Sequence, residues 1–241
     1  MKTHRRSSVI PILILALATG ACTKSSDSPT SPANTTTLSF SGVFAGAHEG
    51  GTLQLSAAVP AAIAISASRS DVAYQSTGSP VAATGTLKIA GGSTITLTGT
   101  YNPSTKIFTM SGGSYSVTAT VANNAVAGSY TGPSTSGSVS ALPAPSATSV
   151  TAYCGTFTGT EAGRWNVAIS AGVITGTAAT PEGSIQLNGT VSGSAITMTW
   201  HPNATDVGSA TGTLAGTTIT GTWLTNTPGD HGTWNGSTGG C

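Results

Sequence analysis

Oily and hydroxyl-bearing side chains take turns along the C-terminal part of the chain. Trp165, Val167 and Ile169 alternate with Arg164, Asn166 and Ala168, and Ile185, Leu187, Gly189 and Val191 with Ser184, Gln186, Asn188 and Thr190. Ile196, Met198 and Trp200 alternate with Ala195, Thr197 and Thr199, and Ile219, Gly221 and Trp223 with Thr218, Thr220 and Thr222. A period of two, with one apolar and one hydroxyl face, predicts half-buried antiparallel strands. The outward threonines suit the pleat, where β-branched side chains pack well. Turn residues punctuate the pattern at Glu161-Ala162-Gly163, Ala171-Gly172, Pro181-Glu182-Gly183, Ser192-Gly193-Ser194, His201-Pro202-Asn203, Ala215-Gly216 and Pro228-Gly229-Asp230. Connections this short predict a meander of about eight strands without crossovers. Glycine at the apolar-face positions Gly189 and Gly221 lets a strand coil sharply beneath a covering aromatic. That favours a closed barrel, which abolishes exposed edges, over the alternative of a β-sandwich.

The N-terminal half carries a weaker version of the same pattern. Strands are expected at Thr86–Ile89, Thr94–Tyr101, Ile107–Met110, Tyr115–Val121 and Val126–Tyr130. The Ala-rich stretch Val59–Asp71 reads either as a strand pair or as a short helix. Four segments recur in the same order in both halves. Phe40–Gly46 parallels Tyr153–Gly159, and Glu49–Leu55 parallels Glu161–Val167. Leu97–Tyr101 parallels Leu187–Val191, and Val126–Tyr130 parallels Ile219–Trp223. The expected fold is therefore all-β, with two tandem antiparallel meander barrels that arose by internal duplication.

Composition narrows the class. Gly, Ser and Thr supply 107 of 241 residues, and only 6% are charged. Poor helix formers in this proportion exclude helical bundles and coiled coils. No Lys/Arg cluster exists beyond the N-terminus, so nucleic acid is not an expected partner. Residues 133–150, rich in Pro, Ser and Ala, read as a linker between β domains spanning 38–132 and 151–241.

The N-terminus reads as an address. Lys2, Arg5 and Arg6 precede the apolar run Val9–Ala18, which is too short to cross a bilayer core that takes about 20 helical residues. Residues 1–21 thus read as a signal peptide. The segment Leu17-Ala18-Thr19-Gly20-Ala21-Cys22 resembles the bacterial lipobox, departing from it at Thr19, where Leu is usual. The resemblance implies a lipid on Cys22 and membrane contact through that anchor; plain cleavage after Ala21 with a free Cys22 is the alternative. Thr23 in place of Asp after the cysteine implies the outer membrane, if sorting follows the enterobacterial pattern. Removing residues 1–21 leaves five Lys/Arg against seven Asp/Glu, so charge supplies no attraction to anionic lipid. Residues 22–37, the lipidated cysteine and a Ser/Thr/Pro-rich stretch, read as a disordered tether.

Candidate chemistry is sparse. Cys154 and Cys241 remain after Cys22 is assigned to lipid, and they fall at the start of the first and the end of the last strand of one domain. In an up-and-down barrel those strands are neighbours, so a disulfide pinning the seam is expected, with free thiols or an intermolecular bridge as alternatives. His48, His201 and His231 form no spaced metal pair, and no nucleophile elbow, phosphate loop or dinucleotide fingerprint occurs. Neither a catalytic residue, a metal nor a cofactor is expected. Glu161, Glu182, Asp206 and Asp230 fall in predicted turns, where they either keep the domain soluble or serve acid–base chemistry on glycans. All four tryptophans, Trp165, Trp200, Trp223 and Trp234, lie in the second half. They either fill a barrel core short of bulk, the favoured reading, or line a mouth that binds a small molecule or glycan.

Gly155-Thr156-Phe157 with Gly163-Arg164-Trp165, followed by Ile174-Thr175-Gly176-Thr177, resembles the opening hairpins of avidin-type barrels. Glycine-rich barrels of bacterial surface lipoproteins, including the transferrin-binding type, are similar at the same level. The avidin-type resemblance implies a barrel, but its ligand does not carry over. The first-loop asparagine that holds biotin in that family corresponds to Gly159. The sequence thus points to a lipid-anchored envelope protein acting as a structural or binding module, with a small molecule, glycan or envelope protein as partner.

Overall fold

The computed structural model describes residues 35–60, 78–144, 149–201 and 207–241. The expected signal peptide, Cys22, most of the Val59–Asp71 stretch and Asp206 lie outside the described residues. The chain forms sixteen strands in two closed antiparallel barrels of eight. The first contains β1 (Thr35–Gly46), β2 (Gly50–Pro60), β3 (Val81–Ile89), β4 (Thr94–Asn102), β5 (Ile107–Gly112), β6 (Tyr115–Ala122), β7 (Ala125–Thr131) and β8 (Ser136–Pro143). The second contains β9 (Thr151–Gly159), β10 (Gly163–Ser170), β11 (Val173–Thr180), β12 (Gly183–Ser192), β13 (Ala195–Trp200), β14 (Gly208–Ala215), β15 (Thr218–Thr225) and β16 (His231–Ser237). Each strand pairs with the next, and β1–β8 and β9–β16 close the circles.

Two expectations from composition are corrected. The tether does not run to residue 37, because β1 begins at Thr35. The low-complexity stretch read as a linker supplies β8, the strand that shuts the first barrel against β1. Its inward Val139 and Ala141 are fully buried, so even a Ser/Pro-rich segment has the period-two signal where it matters.

The registers make the two barrels equivalent position by position. Gly99 faces Met110 as Gly189 faces Met198, and Tyr130 faces Gly137 as Trp223 faces Gly232. The recurring segments seen in the sequence occupy matching strands, so the chain is a tandem barrel repeat. Cross-strand threonines line the second barrel's outer wall, with Oγ1–Oγ1 distances of 3.2 Å for Thr190 and Thr197 and 3.3 Å for Thr158 and Thr233.

The first barrel is filled. Phe40, Phe44, Leu53, Leu87, Tyr101, Phe108 and Tyr130 pack along its axis with exposures of 6% or less. Phe44 meets Tyr130 edge-on at 4.9 Å between ring centroids, a favourable aromatic geometry. Near the β1–β2 turn the Tyr115 hydroxyl donates to Glu49 Oε2 at 2.8 Å, while Glu49 Oε1 is buried without a partner among the described residues. Burial first, and then the charge of Glu49, hold the Tyr130 hydroxyl well above the usual phenol range; Arg164 opposes them.

Strands β1 and β8 of the first barrel lie against β10, β11 and β12 of the second. The outward residues here are buried too: Val43, Ala45, Ser140, Asn166, Ala168, Thr175, Thr177 and Ala179. Asn166 Nδ2 donates to Phe44 O at 2.5 Å, Ser140 Oγ to Gly176 O at 2.8 Å, and Gln186 Nε2 to Val139 O at 3.2 Å. Ser140 Oγ also meets Gln186 Oε1, and the Ser138 and Ser184 hydroxyls pair at 2.6 Å. Small polar side chains allow this close approach, and hydrogen bonds offset the cost of burying Asn166, Ser140 and Gln186, whereas Thr177 Oγ1 is buried without a partner among the described residues.

Candidate ligand-binding site

The second barrel has one closed and one open end. At the closed end Tyr153, Ile174, Ile196 and Ile219 are at most 5% exposed, and the Tyr153 hydroxyl donates to Gly216 O at 3.0 Å. The Cys154–Cys241 disulfide sits here, with an S–S distance of 2.04 Å, tying the C-terminus to the first strand of the barrel. The seam bond expected from the sequence is present. Turns at this end, such as Ala171-Gly172 with φ of 49° and 78°, are tight two-residue hairpins with a left-handed backbone.

At the opposite end, among the β9–β10, β11–β12 and β15–β16 connections and the facing ends of β13 and β14, the barrel interior opens into a cup of about 660 Å³. All four tryptophans line it, with Phe157, Ala178, Ile185, Leu187, Met198 and Ala210. The cup tapers. On its floor Trp165, Leu187, Met198, Ala210 and Trp234 are no more than 4% exposed, whereas Trp200, Thr180 and Ile185 at the mouth are half-buried. Trp165, Trp223 and Trp234 belong to the buried apolar core of this barrel, as the core-filling reading expects, and the interior opens only toward the mouth, where the cup lies.

The tryptophans leave room because of what lies beneath them. Each faces a glycine on a neighbouring strand: Trp165 faces Gly155, Trp200 Gly208, Trp223 Gly232 and Trp234 Gly221. A Cβ built on Gly208 would lie 1.9 Å from Trp200 Cε2, one on Gly232 2.5 Å from Trp223 Nε1, and one on Gly221 2.6 Å from Trp234 Cε2. The indoles thus rest against neighbouring backbone, covering the glycines as aromatics do in coiled strands. Three are pinned by hydrogen bonds of 3.0–3.1 Å: Trp165 Nε1 donates to Thr156 O, Trp223 Nε1 to Thr158 O and Trp234 Nε1 to Thr222 O. Trp165 and Trp234 also meet edge-on at 5.2 Å.

Comparison with the first barrel shows how the space arises. Where the first barrel pairs Leu53 with Leu87, the second pairs Trp165 with Ala178. Val117 opposite Tyr130 becomes Ala210 opposite Trp223, and Val139 opposite Gly128 becomes Trp234 opposite Gly221. At these matched positions the second barrel sets one tryptophan beside an alanine or glycine. Ala178 and Ala210 were not singled out from the sequence. Their signal was present as alanine at inward positions across from tryptophan.

Among the described residues three carboxylates line the mouth: Glu161, Glu182 and Asp230. Asp230 is the most constrained, since Thr225 Oγ1 donates to its Oδ2 at 2.7 Å and Thr160 Oγ1 donates to its Oδ1. Glu161 and Glu182 are exposed. His201 and His231 stand at the mouth end beside Trp200 and Asp230 but do not line the cup. His48, His201 and His231 are exposed, and His231 Nδ1 lies 2.9 Å from Gly229 O. Among the described residues no group of three or more His, Cys, Asp or Glu is placed to hold a metal ion.

Compared with known proteins, the chain matches no family model, and no curated protein is similar to it in sequence.

Proposed function

We propose that the protein is a small-molecule binding module that uses the tryptophan-lined cup of its second barrel, carried on a lipid anchor at Cys22 in the cell envelope. The observation behind this reading is the contrast between two equivalent barrels, one filled and the other opened into a cup of about 660 Å³. That volume lies within the roughly 300–1,000 Å³ of small-ligand sites. The cup has their usual make-up of apolar and aromatic walls with a few polar groups at one edge. A purely structural barrel gains nothing from this arrangement, because an unfilled interior forfeits dispersion contacts and buried apolar area. The signal-peptide and lipobox pattern supports an envelope location, with the outer membrane as the destination that Thr23 implies.

Gly183 provides a clean test. It lies at the mouth on the inward side of β12, and a Cβ added there meets nothing within 4 Å. Gly183→Phe is expected to block the cup while leaving the melting temperature nearly unchanged. Titration of the wild type with a panel of small aromatic, amine and sugar compounds, read by tryptophan emission, should give saturable responses that the variant loses. A response identical in both proteins, or none from the wild type across the panel, would count against the cup.

A further inference from the structure

The charges around the cup point to the class of ligand. Residues 151–241 contain four carboxylates and a single Lys/Arg, Arg164. Glu161, Glu182 and Asp230, the three of those carboxylates within the described residues, all line the one opening. The hairpin turns at the closed end, Ala171-Gly172, Gly193-Ser194 and Gly216-Thr217, carry no charge. Acids serving only solubility would be spread over both ends. Arg164 does not balance them, because it lies on the outward face of β10 with Asn166, which bonds to the first barrel. Its charge is felt there by Tyr130. No Lys, Arg or His is found among the described residues lining the cup.

Below this ring of negative charge stand four indoles and Phe157. Aromatic faces carry negative quadrupole charge and attract cations, tryptophan most strongly. A recess walled by aromatics and rimmed by carboxylates raises the local concentration of cations and disfavours anions. We infer that the cup selects an organic cation with an apolar body, a quaternary ammonium or a protonated amine, its apolar part in the funnel and its charge between the indoles and the rim. This inference rests on the binding role proposed above for the same cup.

A matched pair of probes separates the two. Benzyltrimethylammonium and 2,2-dimethylpropylbenzene have nearly the same shape and differ in charge. The cation is expected to bind the wild-type protein at least ~10-fold more tightly, by tryptophan emission or calorimetry. The preference should shrink several-fold in Glu161→Gln/Glu182→Gln, whose two side chains are exposed, and again when salt is raised. Gly183→Phe should bind neither probe. Equal or tighter binding of the neutral compound, lost in Gly183→Phe, would overturn the cation preference and leave the cup as a binding site. Absence of binding by both probes would remove the preference together with the site.

Discussion

Replacing Cys154 and Cys241 together by alanine is expected to lower the unfolding free energy of the second barrel by about 4–5 kcal/mol. The bond closes a sequence separation of 87 residues, and freeing a loop of that size restores much entropy to the unfolded chain. The native structure has little to replace it. The seam between β9 and β16 runs from Gly159–Gly232 to Cys154–Ser237, and a short 3-10 turn, Thr238–Gly240, joins it to Cys241. Urea unfolding followed by tryptophan emission measures this barrel alone, because all four tryptophans belong to it. A loss below about 1 kcal/mol, far under the entropy expectation, would show that the ladder closes the barrel without the bond.

Trp234→Ala is expected to cost about 3–5 kcal/mol, the range for removing a buried tryptophan. Trp200→Ala should cost less than about half of that, because cavity and transfer terms scale with burial. Trp234 is 3% exposed, stacks edge-on against Trp165, and covers both Gly221 and Gly212. Its loss leaves two bare glycines in adjacent strands and removes the Trp234 Nε1 hydrogen bond to Thr222 O. Trp200 stands half-buried at the mouth and crosses Gly208 alone. Thermal unfolding followed by far-ultraviolet circular dichroism ranks the two variants. Equal losses would mean that the indoles do not stiffen the wall in proportion to their burial. Binding is expected to weaken in both, so stability and affinity should separate at Trp200.

The barrel architecture was legible because strand alternation is a local signal. Trp165, Val167 and Ile169, or Ile196, Met198 and Trp200, declare their inward face without reference to the rest of the chain. The seam disulfide followed from topology: first and last strands of a meander barrel must meet. What stayed hidden depends on longer-range packing. β8 was masked by Ser and Pro composition because its value lies in closing against β1, distant in sequence. Asn166, Thr175 and Thr177 look like ordinary outward polar residues, yet they are buried because the other barrel covers them. The open cup was illegible for a third reason. The tryptophans were seen as bulk, and bulk fills a core unless glycines across the strand let the rings lie back. Gly208, Gly221 and Gly232 are those glycines, and their partners are fixed by register, which periodicity alone does not supply.

The central claim is that the second barrel holds a small organic ligand among its indoles. Indole N–H resonances in NMR spectra of ¹⁵N-tryptophan protein, assigned with single Trp→Phe variants, test it directly during titration with benzyltrimethylammonium. The account predicts saturable shifts largest for Trp200 at the mouth, smaller ones for Trp223 and Trp234, and none in Gly183→Phe. Four indole signals that stay put while calorimetry reports saturable binding of the same cation would contradict it.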